Sequence, residues 1–239
     1  MHYDHPAFVK PKETNLKLWR YIELSKLMYL LESSMLHFCR ADLYRKEDPF
    51  EGTFPKLEYE YLIKRIGEAE TRNLFEITSK DTFLNCWHLN DSESLAMWKL
   101  YSQMDKGVAI LTDVDSFKDS FSLTDKKIFS GIIQYIDYET DLFYSPSKHN
   151  YSALNGFTAF IHKRNIYKYE NEYRAVCTDS KGKDKLGISV STDVSKLIKN
   201  IIVAPNSSDW LFDLIKNFTN KYYNSIEVRH SSFDLEPHF

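Results

Sequence analysis

The chain has 239 residues, 43% of them hydrophobic and 27% charged, and its 31 Lys and Arg against 34 Asp and Glu give a formal net charge of −3. These values predict a folded, soluble protein and exclude a uniformly basic nucleic-acid coat, while the 7 glycines form no dinucleotide-binding or P-loop motif. The three widely spaced cysteines indicate reduced thiols, and no segment has the pattern of a signal peptide or a spanning helix, so we expect a cytoplasmic protein without a membrane partner.

The first half of the chain predicts a mixture of strands and helices. Residues 1–15 are expected to form an extended lead-in, because Pro6 and Pro11 discourage regular structure. The apolar spacing then predicts, in chain order, a strand over 18–22, a helix over 24–31, a strand over 35–39, an irregular loop over 41–52, one surface helix over 57–75 and a buried strand over 82–87. The surface helix makes residues 55–78 a candidate insertion.

The second half continues this irregular mixture. Its patterns predict, in chain order, a helix through 95–101 capped by Asp91 or Ser92, strands over 108–111 and 127–138, a polar loop around 145–150, a helix over 151–161, strands over 172–178, 187–191 and 201–205, a helix capped by Ser208 or Asp209, and an edge strand over 226–230. Helices and strands do not alternate regularly, as they would in a doubly wound parallel sheet. We therefore expect one α+β domain over 16–239, with a mixed, mainly antiparallel sheet and flanking helices.

Arg20 stands between Trp19 and Tyr21 in the first predicted strand, and a cation in an otherwise apolar strand is costly to bury without a partner. Two interpretations remain open. Either Arg20 lies in an edge strand, where it extends its charged end to solvent or pairs with Asp48 or Glu51, or it faces a cleft and binds a phosphate or carboxylate of a ligand. The two interpretations predict different partners for the same guanidinium.

An aromatic group follows the buried strand over 82–87. Trp87 and His88 come at its end, and Trp98 and Tyr101 lie on the next predicted helix. Flat aromatic side chains stack on nucleobases or on a nicotinamide ring. The alternative is core packing, which the helical spacing of Trp98 favours, whereas His88 falls in a turn where functional groups are often displayed.

Glu170, Glu172 and Arg174 form a dense charged cluster. In an extended segment, residues two apart point to the same side, so both carboxylates and the guanidinium would share one face. A neighbouring carboxylate raises a carboxyl pKa and an adjacent Arg lowers it, a combination that acid–base and cation-stabilising sites use. The alternative is a solvated strand face with an ion pair worth about 0–1 kcal/mol.

Metal binding and nucleic-acid binding have weaker support in the sequence. The histidines are isolated and no zinc motif occurs, so we expect no metal cofactor. Two basic clusters, Lys163–Arg164 with Lys168 and the stretch 181–185, either form solvated turns or flank a nucleic-acid groove.

Five segments carry a family resemblance: LWRYIEL, ADLYRKEDPFEG, NCWHLNDSESLAMWKLY, KYENEYRAV and IIVAPNSSDW. Over residues 18–235, in this order, the chain resembles the large, mainly bacterial family called domain of unknown function 2971, which is distantly similar to ADP-ribosyltransferases. The resemblance implies a split sheet and a site in which Arg20, with Tyr21 beside it, holds NAD. It also implies that Glu172 contacts the ribose and stabilises its developing cation, and that Glu170 orients or deprotonates the acceptor.

These expectations define one leading function and two alternatives. The leading function is an NAD-dependent ADP-ribosyltransferase that acts as a cytoplasmic toxin or antiphage-defence effector, modifies RNA, DNA or a protein, and has an antitoxin or chaperone partner. Its expected cofactor-binding residues are Arg20, Tyr21, Trp87, His88, Trp98, Tyr101 and Arg174. The first alternative is a non-catalytic module that binds a nucleotide, a nucleic acid or a protein partner. The second is a metal-dependent nuclease or hydrolase that uses Asp48, Glu51 and Glu170.

Overall fold

The computed structural model describes residues 1–13, 15–102, 105–143 and 156–237. Its strands are β1 Lys17–Glu23, β2 Met35–Arg40, β3 Thr82–Leu89, β4 Gly107–Asp113, β5 Ile128–Ile132, β6 Gln134–Ile136, β7 His162–Arg164, β8 Glu172–Thr178, β9 Gly187–Ser191, β10 Asn200–Val203 and β11 Glu227–His230. Its α-helices are α1 Leu24–Ser33, α2 Lys56–Ile66, α3 Glu68–Asp81, α4 Leu95–Tyr101, α5 Val114–Asp119, α6 Val194–Leu197 and α7 Asp209–Tyr222. Short 3₁₀-helices, including Ala41–Lys46 and Asn165–Glu170, lie between them.

One mixed sheet forms the centre of the fold. Its strands run in the order β11-β10-β4-β1-β3-β2-β9, with β8 paired to β3 and β5 paired to β8. Of these pairs, only β10 with β11 is parallel in the described part of the chain. Strands β6 and β7 form a separate parallel pair. The predicted α+β class, with a mixed and mainly antiparallel sheet, is therefore confirmed.

The central sheet opens between β1 and β3. Strand β1 pairs with β4 along its whole length. It pairs with β3 only at Leu18 and Trp19, which lie opposite Leu89 and His88. From Arg20 onward β1 and β3 are no longer paired, so the sheet is split at this point. The split sheet that the family resemblance implies is present.

Strand alternation divides the side chains of β1 between two packed layers. Ile22 points into the main core, which α1, α5 and α7 cover. Trp19 and Tyr21 belong to the apolar cluster on the opposite face, where Trp98 of α4 packs. Close packing on both faces fixes the position of the strand that carries Arg20.

The N-terminal lead-in packs against strand β5. Isolated β-bridges join His2 to Ile128 and Val9 to Ile132. Phe8 is buried in a second apolar cluster on this side of the sheet. The segment therefore lies along the sheet and contributes to its packing.

Two predicted elements are divided in the structure. The single helix expected over 57–75 is two helices, α2 and α3, which separate at Gly67, where φ is 90°. The strand expected over 127–138 is two strands, because the chain leaves the central sheet at Ile133 and enters the β6–β7 pair. The domain division expected from the sequence, with its insertion over 55–78, stays a prediction.

Smaller differences concern a helix cap and two segments. Ser94 caps α4 through its side-chain oxygen, instead of Asp91 or Ser92. The loop expected around 145–150 lies outside the described residues, as does the first part, 151–155, of the helix expected over 151–161. The remaining part of that predicted helix contains only the short 3₁₀-helix Thr158–Phe160. Every helix in the part of the chain that is described is too short or too polar to cross a bilayer.

Candidate functional site

A cavity of about 700 Å³ lies where β1 and β3 separate. Its walls come from α1, β1, β2, β3, α4, β4, β7, β8 and β9, together with the 3₁₀-helices Ala41–Lys46 and Asn165–Glu170. Small-molecule sites span roughly 300–1,000 Å³, so this volume suits a small ligand. The residues predicted from the sequence that line the cavity are Arg20, Tyr21, Trp87, His88, Tyr101, Glu170 and Glu172.

Arg20 is a partly buried cation without a partner among the described residues. Its guanidinium lies 5.7 Å from the centre of the Trp87 ring, and its Nη1 is buried and makes no hydrogen bond. Asp48 and Glu51 pair with other cations, so the interpretation that either of them pairs with Arg20 is wrong. Burial lowers the pKa of Arg20. An unpaired guanidinium at a cavity wall has the charge and the donors to bind an anion.

The strand register aligns one residue from each of β1, β3 and β8 across the sheet. Trp19 lies opposite His88, and His88 lies opposite Glu172 on its other side. Three neighbouring strands, β1, β3 and β8, therefore place these residues side by side. Arg20 comes one position after this row, at the start of the split.

Glu170 and Glu172 reach the cavity from two different elements. Glu170 ends the 3₁₀-helix Asn165–Glu170, and Glu172 opens β8. Asn171 between them has a left-handed backbone with φ of 39°. The predicted geometry, in which both carboxylates share the face of one extended strand, is therefore corrected: a turn at Asn171 brings Glu170 beside Glu172.

Arg174 supports the carboxylates from a fully buried position. Its Nε donates to Oε1 of Glu172 at 2.6 Å and its Nη2 donates to Oε2 at 3.0 Å. Its Nη1 donates to Glu51 at 2.5 Å and to the carbonyl of Phe160 at 2.9 Å. Arg174 does not line the cavity, and its observed contacts hold Glu172. Its contact with a cofactor stays a prediction.

Lys163 is a cavity residue that sequence reasoning missed. Its Nζ lies 2.5 Å from Oε2 of Glu170, 3.6 Å from Oε2 of Glu172 and 3.9 Å from Oε2 of Glu51. The sequence favoured a solvated turn or the edge of a nucleic-acid groove, but this side chain is only 9% exposed. No local signal marks Lys163, because its acidic partners come from other elements of the fold.

The two cavity carboxylates have opposite pKa shifts. Burial alone would raise the pKa of Glu172, but Arg174 and Lys163 outweigh it and lower that pKa to about 2. Burial raises the pKa of Glu170, although Lys163 opposes this effect. Glu172 is therefore ionised at neutral pH, whereas Glu170 is the better proton acceptor. Two acids with such different proton affinities suit separate chemical roles.

Neutral hydrogen-bonding groups surround the carboxylates. The Tyr101 hydroxyl donates to Oε1 of Glu170 at 2.8 Å, and the Tyr21 hydroxyl accepts from the backbone of Ser94. Nδ1 of His88 donates to the backbone carbonyl of Glu170 at 2.5 Å. Its Nε2 is then an acceptor, and this atom is buried without a partner in the described ranges. Burial lowers the pKa of His88, so its ring is neutral near pH 7.

The two tryptophans of the predicted site have different positions. Trp98 is fully buried, packs edge-on against Tyr21 with ring centres 4.9 Å apart, and donates to Glu93. Trp98 does not line the cavity and packs in an apolar cluster, as its helical spacing favoured. Its contact with a cofactor stays a prediction. Trp87 lines the cavity beside Arg20.

The acidic residues considered for a metal-dependent hydrolase face cations. Asp48 pairs with Arg164 at 2.5 Å, whereas Glu51 and Glu170 belong to the cluster around Lys163. Among the residues described, no group of three or more His, Cys, Asp or Glu side chains is arranged to hold a metal ion.

Residues 97–175 match the family described as "Protein of unknown function (DUF2971)". This match confirms the resemblance to that family. No curated protein matches the chain significantly. A solved structure, "Thermus sp. 2.9 DarT in complex with carba-NAD+", is similar to this chain with a TM-score of 0.41 and 7% sequence identity, over 95% of this chain and 100% of that one.

Proposed function

We propose that the cavity binds NAD and that the protein transfers ADP-ribose from it to an acceptor. The observation that carries the proposal is the charge arrangement within one cavity. Arg20 has no anionic partner in the described chain, while Glu170 and Glu172 lie in the same wall without pairing with it. NAD has the complementary distribution, because its pyrophosphate is anionic and its nicotinamide ring is cationic. Bound NAD would give Arg20 an anionic partner and bring its cationic ring into the cavity that the carboxylates line.

The chemistry follows from this complementarity. Arg20 binds the pyrophosphate through charge-assisted hydrogen bonds. Glu172, held ionised by Arg174, lies near the nicotinamide ribose. As the ribose–nicotinamide bond breaks, its electron pair leaves with neutral nicotinamide and positive charge develops on the ribose, which a fixed carboxylate stabilises. Glu170, with its raised pKa, takes the proton of the acceptor as the new glycosidic bond forms.

The family resemblance and the cavity lining also support which residues contact NAD, which acceptor is modified and which partner the protein has. Tyr21, Trp87, His88 and Tyr101 supply flat surfaces and hydrogen-bonding groups for the dinucleotide. An RNA, DNA or protein acceptor, a role as a cytoplasmic toxin or antiphage effector, and an antitoxin or chaperone partner follow from the resemblance.

A non-catalytic binding module is the second candidate, and one observation favours it. Both oxygens of Glu172 are bound by Arg174, which also binds Glu51. In this reading the carboxylates serve to hold a buried guanidinium, and the cavity binds a nucleotide without breaking it.

Release of nicotinamide from labelled NAD tests the proposal. The protein is incubated with labelled NAD, RNA, DNA and cell lysate, with and without a chelator. We expect wild-type protein to release nicotinamide and label an acceptor in both conditions. Glu172→Gln keeps the shape and removes the charge, so we expect a loss of roughly two orders of magnitude or more. Glu227→Gln, on the exposed edge strand β11, is the matched control and retains full turnover.

The other outcomes separate the alternatives. Binding of NAD without nicotinamide release supports the binding module. Turnover that the chelator abolishes supports the metal-dependent hydrolase. Full turnover by a folded Glu172→Gln variant contradicts the role proposed for Glu172.

A further inference from the structure

Lys163 is the single cationic partner of Glu170 within the described residues. Its Nζ lies 2.5 Å from Oε2 of Glu170. The other buried cation, Arg174, binds Glu172 and Glu51 and forms no ion pair with Glu170. The ionised form of Glu170 therefore depends on one ammonium group.

The same ammonium also lies close to Glu172, at 3.6 Å from its Oε2. Two carboxylates at this separation from one cation would repel each other if the cation were removed. The repulsion would be strong here because the side chains of Glu170 and Glu172 are only 7% and 5% exposed. Lys163 thus bridges both acids of the cavity wall.

The charge and position of Lys163 are themselves well fixed. It lies on β7, which is paired with β6 outside the central sheet, and its Nζ lies 4.8 Å from the centre of the Tyr167 ring. Burial alone would lower its pKa, but Glu172 and Glu51 outweigh this effect and raise it. Lys163 therefore stays protonated at neutral pH, and the β6–β7 pair holds its positive charge next to Glu170 and Glu172.

We infer that Lys163 is a positioning residue that holds Glu170 and Glu172 as a fixed, ionised pair in the cavity wall. The effect on turnover rests on the proposed function, whereas the effect on the carboxylates rests on the geometry of the cluster. Within the described residues, the charged and titratable groups that face these acids are Glu51 before α2, Cys86 and His88 on β3, Tyr101 on α4, Tyr135 on β6, Lys163 on β7, Tyr169 beside Glu170, and Arg174 on β8.

Carbon-13 NMR titration of the glutamate carboxyl groups tests this inference without any activity. Glu170→Gln assigns the relevant resonance by its loss. In Lys163→Met we expect the midpoint of Glu170 to rise by roughly 1–3 pH units, since an opposite charge at this distance lowers a carboxyl pKa by that amount. Lys163→Arg keeps the midpoint near the wild-type value. Lys168→Met, an exposed lysine on the neighbouring 3₁₀-helix, is the matched control and leaves it unchanged.

A second variant can be used if Lys163→Met does not fold. Glu51→Gln combined with Lys163→Met removes one charge of each sign, so the net charge of the cluster is kept. We expect the midpoint of Glu170 to rise in this variant as well. An unchanged midpoint in either folded variant overturns the inference.

The pH dependence of NAD turnover gives the functional readout. We expect the acid limb of the profile to move to higher pH in Lys163→Met, with turnover recovering at high pH, and Lys163→Arg to restore the wild-type profile. A uniform loss at every pH with an unchanged Glu170 midpoint would reduce Lys163 to a structural residue and overturn the inference. If wild-type protein turns over no NAD, the proposed function fails, and the NMR midpoint still decides the role of Lys163.

Discussion

We expect Arg20 to destabilise the ligand-free protein, because its buried Nη1 has no hydrogen-bond partner among the described residues. Arg20→Met keeps much of the side-chain length and removes the charge. We expect the free energy of unfolding of the ligand-free protein to rise by roughly 1–3 kcal/mol, measured by urea denaturation. Arg174→Met is the contrasting variant, and we expect it to lower this free energy by roughly 3–5 kcal/mol, since it leaves buried carboxylates unpaired. Destabilisation by Arg20→Met would contradict the unpaired state of Arg20.

His162 makes the stability of the fold depend on pH. Its Nδ1 donates to the carbonyl of Thr158 at 2.8 Å, its ring lies 4.5 Å from that of Phe143, and burial lowers its pKa from 6.5 to about 4. The unfolded chain therefore binds this proton at a higher pH than the folded chain. The contribution to stability is complete above about pH 6.5 and is lost as the pH falls through 4.

We expect His162→Gln to weaken this pH dependence. Between pH 7 and pH 4.5, the free energy of unfolding should fall by about 2–3 kcal/mol less in the variant than in the wild type, as measured by urea denaturation. Equal falls in both proteins would show that His162 is not held neutral by burial.

Some residues of the candidate site could be predicted from the sequence and others could not. Arg20 was identifiable because a cation in an apolar strand is unusual, and Glu172 because it opens a clear strand beside a second acid. Lys163 was not identified as a member of the cluster, and Glu51 was grouped with Glu170 only as a metal ligand. Their partners lie far apart in the chain, and no spacing rule connects residues that meet only through the fold.

Among the elements, the break between α2 and α3 depends on Gly67. Its φ of 90° and ψ of 159° lie in a region that is essentially restricted to glycine. An added Cβ would also lie 2.6 Å from Oε2 of Glu70. In one continuous helix, Gly67→Ala would instead stabilise the protein by roughly 0.5–1 kcal/mol. The sign of the change in the free energy of unfolding therefore distinguishes two separate helices from one continuous helix.

We expect Gly67→Ala to lower the free energy of unfolding by roughly 1–3 kcal/mol, measured by thermal or urea denaturation. Gly156→Ala is the control, because among the described residues an added Cβ there meets only Thr78, at 3.7 Å, and we expect little change. A higher midpoint of thermal unfolding for Gly67→Ala would contradict the broken helix.

Elements that depend on local pattern were predicted well, and those that depend on tertiary partners were not. The strands Glu172–Thr178 and Gly187–Ser191 have the predicted bounds, because alternation and neighbouring turns define them locally. The division of 127–138 could not be seen, since a continuous β-branched and aromatic run gives no sign that its two halves join different sheets.

At the scale of the whole molecule, the cavity exists because β1 keeps β4 as a partner and leaves β3 after Trp19. The family resemblance implied a split sheet, but the order of the strands is a non-local property that apolar spacing does not encode. The register that aligns Trp19 with His88 and His88 with Glu172 connects three distant segments. This register brings the region of Arg20 to the acidic residues.

Equilibrium binding of NAD, measured by isothermal titration calorimetry at low ionic strength, tests most directly whether Arg20 and the carboxylates form one dinucleotide site. We expect wild-type protein to bind NAD, and Arg20→Met to bind it at least roughly tenfold more weakly, because a charge-assisted hydrogen bond contributes about 1.5–3 kcal/mol. Arg229→Met, an exposed arginine on β11, should bind like the wild type. Equal affinity of Arg20→Met and wild type, or no binding by either, would contradict the proposed site.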